Sequence, residues 1–391
     1  MSAPEAEWDA TLCSLLDHMA KVEASDLYLT ADSPPVFRID GVGYPAKHAL
    51  TTAQVARMSQ SLLDPAQRDE FDRALEMNLS LAPRSGARFR ANLFRQRGAI
   101  GMVVRLVRTQ IRTLAELGHP PVLAEIVQSK RGLVLVVGAT GSGKSTTLAA
   151  MLDHRNQLET GHIVTIEDPI EFLHRHRRCV VTQREVGIDT LSYRDALKNA
   201  LRQAPDVIMI GEIRDADTME SAIAFAETGH LCVSTLHANN ANQALERMLN
   251  FFPPGREREI RLQLSLNLRA IVSQRLLPAL PSGRVAALEI LLDTPRIRDL
   301  IKRGETDAIK DAMEQGVHEG TATFDGALFD LVQRGKVSEA EAMRAADSPN
   351  NLRIRLERLR SSSGPDAAEP QLRLVPLPRT RTVSAQRPTR S

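Results

Sequence analysis

The most constraining feature of this 391-residue chain is an eight-residue loop, Gly138-Ala139-Thr140-Gly141-Ser142-Gly143-Lys144-Ser145, set between a short apolar run and a helix-compatible one. It satisfies G-x-x-x-x-G-K-[ST], the phosphate-binding loop, and Leu133 to Val137 before it and Thr146 to Asp153 after it give the strand-loop-helix context that the mechanism needs. Glycines let the backbone curl so that successive N–H groups and a helix N-terminus point at one anion. Lys144 is then the residue to reach the terminal phosphates of ATP, and Ser145, followed by Thr146, the residue to ligate Mg²⁺. The competing reading is a glycine-rich turn with a solvated lysine.

A phosphate loop demands a parallel sheet, and the surrounding texture supplies one. LVLVV, HIVTI, VIMI and LCVSTL are short unbroken apolar runs separated by helical segments, the pattern of parallel strands covered on both faces. Three of them end in polar residues, where ligands of such sheets bind. Ile163 to Ile166 leads into Glu167, Asp168, Pro169 and Glu171; Val207 to Ile210 into Gly211 and Glu212; Leu231 to Leu236 into His237. A carboxylate there can orient or deprotonate the attacking water, with Glu212 the first choice, or hold the metal through a water, for which Glu171 and Glu212 both qualify. The acids can equally cap following helices, and Asp168 before Pro169 fits a cap as well as a site. His230 and His237 bracket the fourth strand; His237 gains from its place at a strand end, whereas His230, at a strand start, reads almost as readily as structural.

Ahead of this region the chain changes character. Trp8, Leu12, Leu15, Leu16 and Met19 recur at helical spacing, then β-like runs follow at Leu27 to Thr30, Val36 to Ile39, Arg88 to Phe94 and Met102 to Val107. Asp40-Gly41 reads as a hairpin turn, the last two runs flank a glycine at Gly98, and Thr52 to Asp72 reads as a helix. The spacing therefore predicts a small α+β domain over 1–108, a linker over 109–121 ending in a Pro pair, an α/β domain over 122–360 closed by an amphipathic helix at Phe324, Leu328, Leu331 and Val332, and a disordered tail over 361–391.

Charge and cysteines exclude other classes. The tail carries five arginines against Asp366 and Glu369, a net +3, so the whole-chain +2 leaves −1 for the remaining 360 residues and gives no reason to expect a nucleic-acid partner. Cys13, Cys179 and Cys232 are too few for a disulfide framework or a four-cysteine zinc site and fit a reducing compartment. The acidic start, MSAPEAEWD, is unlike a signal peptide, and Arg269 and Arg275 interrupt the apolar stretch from Leu262 to Leu280, so no membrane span is expected.

Four ordered motifs, GATGSGKSTT, TIEDPIEF, LRQAPDVIMIGEIRD and GHLCVSTLHANNANQALERMLNFFP, resemble those of the secretion-superfamily hexameric ATPases. Within these the chain looks like the type IV pilus retraction ATPases of the PilT/PilU family, with the wording of its last two motifs more PilU-like, and the resemblance runs from SDLYLTADSPPVFRIDG to ADSPNNLRIRL. It implies a PAS-like N-terminal domain, a RecA-like P-loop ATPase domain, and a cytoplasmic homohexamer that hydrolyses ATP with Mg²⁺. The ring would lie peripheral to the inner membrane at the pilus base and act on a platform protein there, with or without a paralogous retraction ATPase. By motif position Glu171 belongs to the acidic box, Glu212 is the catalytic glutamate, and His230 and His237 form the histidine box. Arg90, Arg97 and Arg105 lie in the segment whose arginines complete the site in this family; by themselves they read equally as alternating solvent-facing strand charges. Scarce cysteine favours the retraction branch over pilus-assembly and type II secretion ATPases, which commonly carry a four-cysteine element. Three readings compete: one of those assembly ATPases, a nucleotide-binding accessory subunit that modulates another motor, or a RecA-like DNA translocase.

Overall fold

The computed structural model describes residues 8–39, 41–83, 86–107 and 110–362. The chain builds two sheets. The first is wholly antiparallel and six-stranded: β1 (Asp26–Leu29), β2 (Val36–Ile39), β3 (Val42–Pro45), β4 (Glu76–Leu81), β5 (Arg88–Gln96) and β6 (Ala99–Val107), in the order β3-β2-β1-β6-β5-β4. Burial alternates along it, as one packed face and one polar face require. On β5, Phe89, Ala91 and Leu93 are buried, and Arg88, Arg90 and Asn92 look the other way. The packed face meets the helix Ala10–Lys21, whose Leu12, Leu16 and Met19 are fully buried, and Val55 and Met58 of the helix Thr52–Ser61.

Two local expectations change here. The single helix expected over Thr52 to Asp72 is two, Thr52–Ser61 and Pro65–Ala74. Pro65 cannot donate to a preceding turn, and Asp64 instead opens a new helix with a reciprocal capping box to Gln67. The hairpin at Gly41 forms, with Ile39 opposite Val42, although Asp40 lies outside the described residues.

The second sheet has seven strands: β7 (Gly132–Val137), β8 (Gly161–Glu167), β9 (Cys179–Glu185), β10 (Val207–Ile210), β11 (Leu231–Leu236), β12 (Leu268–Pro278) and β13 (Arg284–Leu292), ordered β13-β12-β7-β11-β10-β8-β9. All are parallel except β13, an antiparallel edge on β12. The four apolar runs are its central strands, and every residue of β7, β10 and β11 is buried. Alternate side chains feed two cores. Leu133, Leu135, Val137, Ile208, Ile210 and Cys232 pack against the helices Ala216–Glu227, Ala241–Asn250 and Glu257–Asn267. Val134, Val136, Val207, Met209 and Val233 pack on the opposite face against Val122–Val127 and Lys144–Leu158. Each such side chain contributes about 1.5–3 kcal/mol.

The stretch expected as a linker is held on this second layer: Leu114 is buried in its core, and His119 reaches the helix that follows the phosphate loop. At the far end the helix Phe324–Gln333 buries Phe324 and Leu328, with Leu352 and Leu356 from the helix Pro349–Ser362. The tail expected from 361 starts inside that helix, which includes 361 and 362, and 363–391 lie outside the described residues. Among the described residues no helix is long and apolar enough to cross a membrane.

Candidate nucleotide site

Parallel topology delivers the carboxyl ends of β7, β8, β10 and β11 to one edge, and the loop Gly138–Gly143 rises from that edge. The helix Lys144–Leu158 starts directly from it, with Gly143 at φ 88° and no side chain capping its first turn. Its free N–H groups and positive dipole end therefore face whatever the loop encloses. Gly138, buried at the loop's base, and Gly143 have no room for a side chain. A Cβ at Gly138 would lie 2.5 Å from Ser142 Oγ and 2.6 Å from Gln274 O, and one at Gly143 would lie 2.8 Å from Gln274 Nε2.

Lys144, 9% exposed, folds back to donate from Nζ to the Gly138 and Ala139 carbonyls at 2.9 Å each. Burial lowers its pKa, against the charges of Glu212 and Glu171, which raise it. A buried ammonium resting on two neutral carbonyls is poised to meet an anion, and Ser142 Oγ in the same loop is buried without a hydrogen-bond partner among the described residues. Ala139, Thr140 and Gly141 are exposed at the crest, and Ser145 and Thr146 are half-buried at the helix start.

A cleft of about 470 Å³ beside the loop is lined by Gly138, Ala139, His237, Asn239, Gln243 and Arg247 among others, and Glu212 joins it through its contact with His237. The strands beneath are locked in register by Ser234 Oγ donating to Ile210 O and Thr235 Oγ1 donating to Gly211 O, both at 2.7 Å. Glu212 accepts from Arg214 Nε at 2.8 Å on Oε2, and its Oε1 lies 3.1 Å from His237 Nε2. Burial first, then the Lys144 charge, lowers the His237 pKa. That shift favours the neutral ring, which stands against the carboxylate at this distance. Arg214 also lies 3.5 Å from Asp168.

The remaining acids divide. Glu167 is buried and accepts from Thr165 Oγ1 at 2.7 Å, Gln183 Nε2 at 3.1 Å and the Glu171 backbone N–H. Burial pushes its carboxyl up despite those donors, so it shapes the loop from within and leaves Glu171 exposed. The reading of Asp168 as a helix cap fails, since no helix follows it; nor does Glu212 cap one, because Asp215 caps Ala216–Glu227. His230 is not brought to the cleft. It sits at the opposite end of β11, about 20 Å from His237 at the strand rise, with Nδ1 beside Thr228 Oγ1 at 3.0 Å.

The arginines also part company. Arg90 and Arg105 stand directly opposite on β5 and β6, a like-charge pair that needs anions. Arg105 takes Asp26 of its own sheet at 2.9 Å. Arg90 crosses to the second sheet and pairs with Glu185 at 2.6 Å, where the same carboxylate also accepts from Ile170 N in the acidic segment. Arg97 forms the β5–β6 turn with Gly98, both left-handed at φ 49° and 80°, about 20 Å along the strand from Arg90.

Sequence reasoning missed Gln274, Thr147 and His119, which buttress the loop from behind. The only available signal was a buried-strand polar residue, Gln274, inside the run IVSQRLLP.

Comparison with known proteins identifies the family and the fold. The family model described as type II/IV secretion system protein matches residues 14–319. The type IV pilus ATPase PilU of Pseudomonas aeruginosa is 49% identical over 88% of this chain and 90% of its own. The type IV pilus retraction ATPase PilT of the same organism is 42% identical over 87% and 99%. A crystal structure of the pilus retraction motor PilT with bound ADP superposes with a TM-score of 0.82 at 38% identity, over 87% of this chain and 98% of that one. The chain belongs to the type II/IV secretion system ATPase family, on its PilT/PilU branch of type IV pilus retraction ATPases.

Proposed function

We propose that ATP binds in the cleft between the phosphate loop and the Glu212–His237 pair, and that its hydrolysis drives pilus retraction. The chain is an ATPase of the pilus retraction family. The observation that carries the site is the convergence of Lys144, Glu212, Glu171 and His237 at one sheet edge, with the Glu212 carboxylate anchored by Arg214 and His237.

In this reading the loop N–H groups and Lys144 neutralise the phosphates, and Glu212 accepts a hydrogen bond from the attacking water and holds it in line. Mg²⁺, for which Ser145 and, through water, Glu171 or Glu212 supply oxygen donors, would add charge neutralisation at the phosphates. Arg90 ties the N-terminal sheet to the acidic segment through Glu185, so closing and opening of the two layers is coupled to the state of the site. Function as a homohexameric ring, at the pilus base on the cytoplasmic side of the inner membrane and acting on a platform protein, is the rest of the proposal; family membership supports it.

The deciding experiment is a clean deletion scored for surface pili and twitching. Pili that persist or accumulate without twitching are expected, with no restoration by Lys144→Ala or Glu212→Gln. Loss of pili on deletion would move the chain to the assembly side.

A further inference from the structure

Behind the phosphate loop, three side chains and one carbonyl form a single line of donors and acceptors. Gln274, 4% exposed on β12, donates Nε2–H to Ser142 O at 2.7 Å, and its Oε1 accepts the Thr147 hydroxyl proton at 2.7 Å. Thr147 has only that one proton, so its 2.9 Å contact with His119 Nε2 requires the imidazole to donate Nε2–H. The ring can hold that tautomer as a neutral group, since burial, helped by Arg112, lowers its pKa to about 4. Every bond in the line therefore runs the same way, from His119 to Thr147 to Gln274 to Ser142, and such chains reinforce one another in a low-dielectric interior.

The loop has no slack against this line. Of the three glycine contacts described above, one ends on Ser142 Oγ and two on Gln274, at its side-chain nitrogen and its carbonyl. A shift of Gln274 by a few tenths of an ångström thus moves the Ser142 carbonyl and, with it, the N–H groups on either side. His119 itself comes from the stretch between the two layers, directly before the helix Val122–Val127, far in sequence from the loop it supports.

We propose that His119, acting through Thr147 and Gln274, is a positioning residue that holds the phosphate loop in its nucleotide-binding conformation. This rests on the nucleotide-site reading above. His119 touches neither phosphate nor water in the proposal; it sets the geometry of the groups that do.

The test uses the full-length protein, titrated with a fluorescent ADP analogue and assayed for steady-state ATP turnover. His119→Leu keeps apolar volume and removes the donor; His119→Gln keeps an N–H donor at similar reach. The expected result for His119→Leu is about tenfold weaker analogue binding and a raised KM with a smaller fall in kcat, and His119→Gln should recover binding to within about twofold of the parent. Adding His119→Leu to Gln274→Met should cost nothing further, because the line is already cut. Unchanged binding in His119→Leu, absence of rescue by His119→Gln, or full additivity with Gln274→Met would overturn the proposal. Thr147→Val, which breaks the same line from inside the loop helix, carries the test if His119→Leu does not fold. A Lys144→Ala protein that binds the analogue like the parent would instead overturn the site itself.

Discussion

The two sheets bring their functional side chains together by different means. In the parallel sheet, chain direction alone gathers the ends of β7, β8, β10 and β11, so the phosphate loop, the Glu167–Glu171 segment, Glu212 and His237 meet at one edge. In the antiparallel sheet, strand direction alternates and the arginines stand at mid-strand or at a turn, so nothing local gathers them. Arg90 reaches the second sheet because the two layers dock, Arg105 stays with Asp26, and Arg97 is carried away to a hairpin tip. Topology places the first set; docking selects among the second.

The sharpest way to break this contrast is at the topological edge. Lys144→Ala should lower ATP turnover by at least about 1,000-fold, with loss of analogue binding; near-normal turnover would show that the edge is not the site. Glu212→Gln should lower kcat about 100-fold with nucleotide binding retained, and a small effect would pass the water-orienting role to Glu171. In the docked set the effects should be smaller and unequal. Arg90→Ala is expected to lower turnover about tenfold and Arg97→Ala to leave it within about twofold, whereas equal losses would mean that the N-terminal sheet acts as one charged surface.

The smallest expected effect tests the segment between the layers. The folded-state pKa of His119 is lowered from the usual 6.5 to about 4, so the unfolded chain binds the proton more readily. Its contribution to stability is then present above about pH 6.5 and lost as pH falls toward 4. His119→Gln should flatten the stability loss over that window in urea unfolding. His174, whose pKa burial also lowers to about 4, retains its own share, so the curve should flatten in part. An unchanged slope would place His119 in a solvated setting.

What was legible in the sequence follows the same divide. The loop from Gly138 to Ser145 and the four central strands were plain, because each is a contiguous run whose residue types have one physical use. Glu212 and His237 were found through position, as polar residues after apolar strands. β9 and β12 were not distinguished: β9 is edge-like and polar in half its length, and β12 lay in a stretch weighed only as a membrane span. Gln274 was lost with it, although a polar side chain 4% exposed within that strand anchors the loop. Position at a strand end already favoured His237 over His230, and strand polarity makes the separation complete: one end of β11 faces the cleft and the other does not. The single helix expected over Thr52 to Asp72 is two because Asp64 and Pro65 start a new one.

The sequence by itself determined the nucleotide loop, the parallel α/β layer around it and the family, since phosphate binding by backbone N–H groups needs a fixed local pattern of glycine, lysine and hydroxyl. Only the tertiary structure decided which acid stands beside His237, which arginine crosses between layers, and that His119, Thr147 and Gln274 stand behind the loop. Those relations join residues as many as 155 positions apart through single hydrogen bonds or ion pairs in sequence, from His119 to Gln274 by way of Thr147. Contacts of that separation are set by how layers pack, and packing depends on all the buried side chains together rather than on any local pattern.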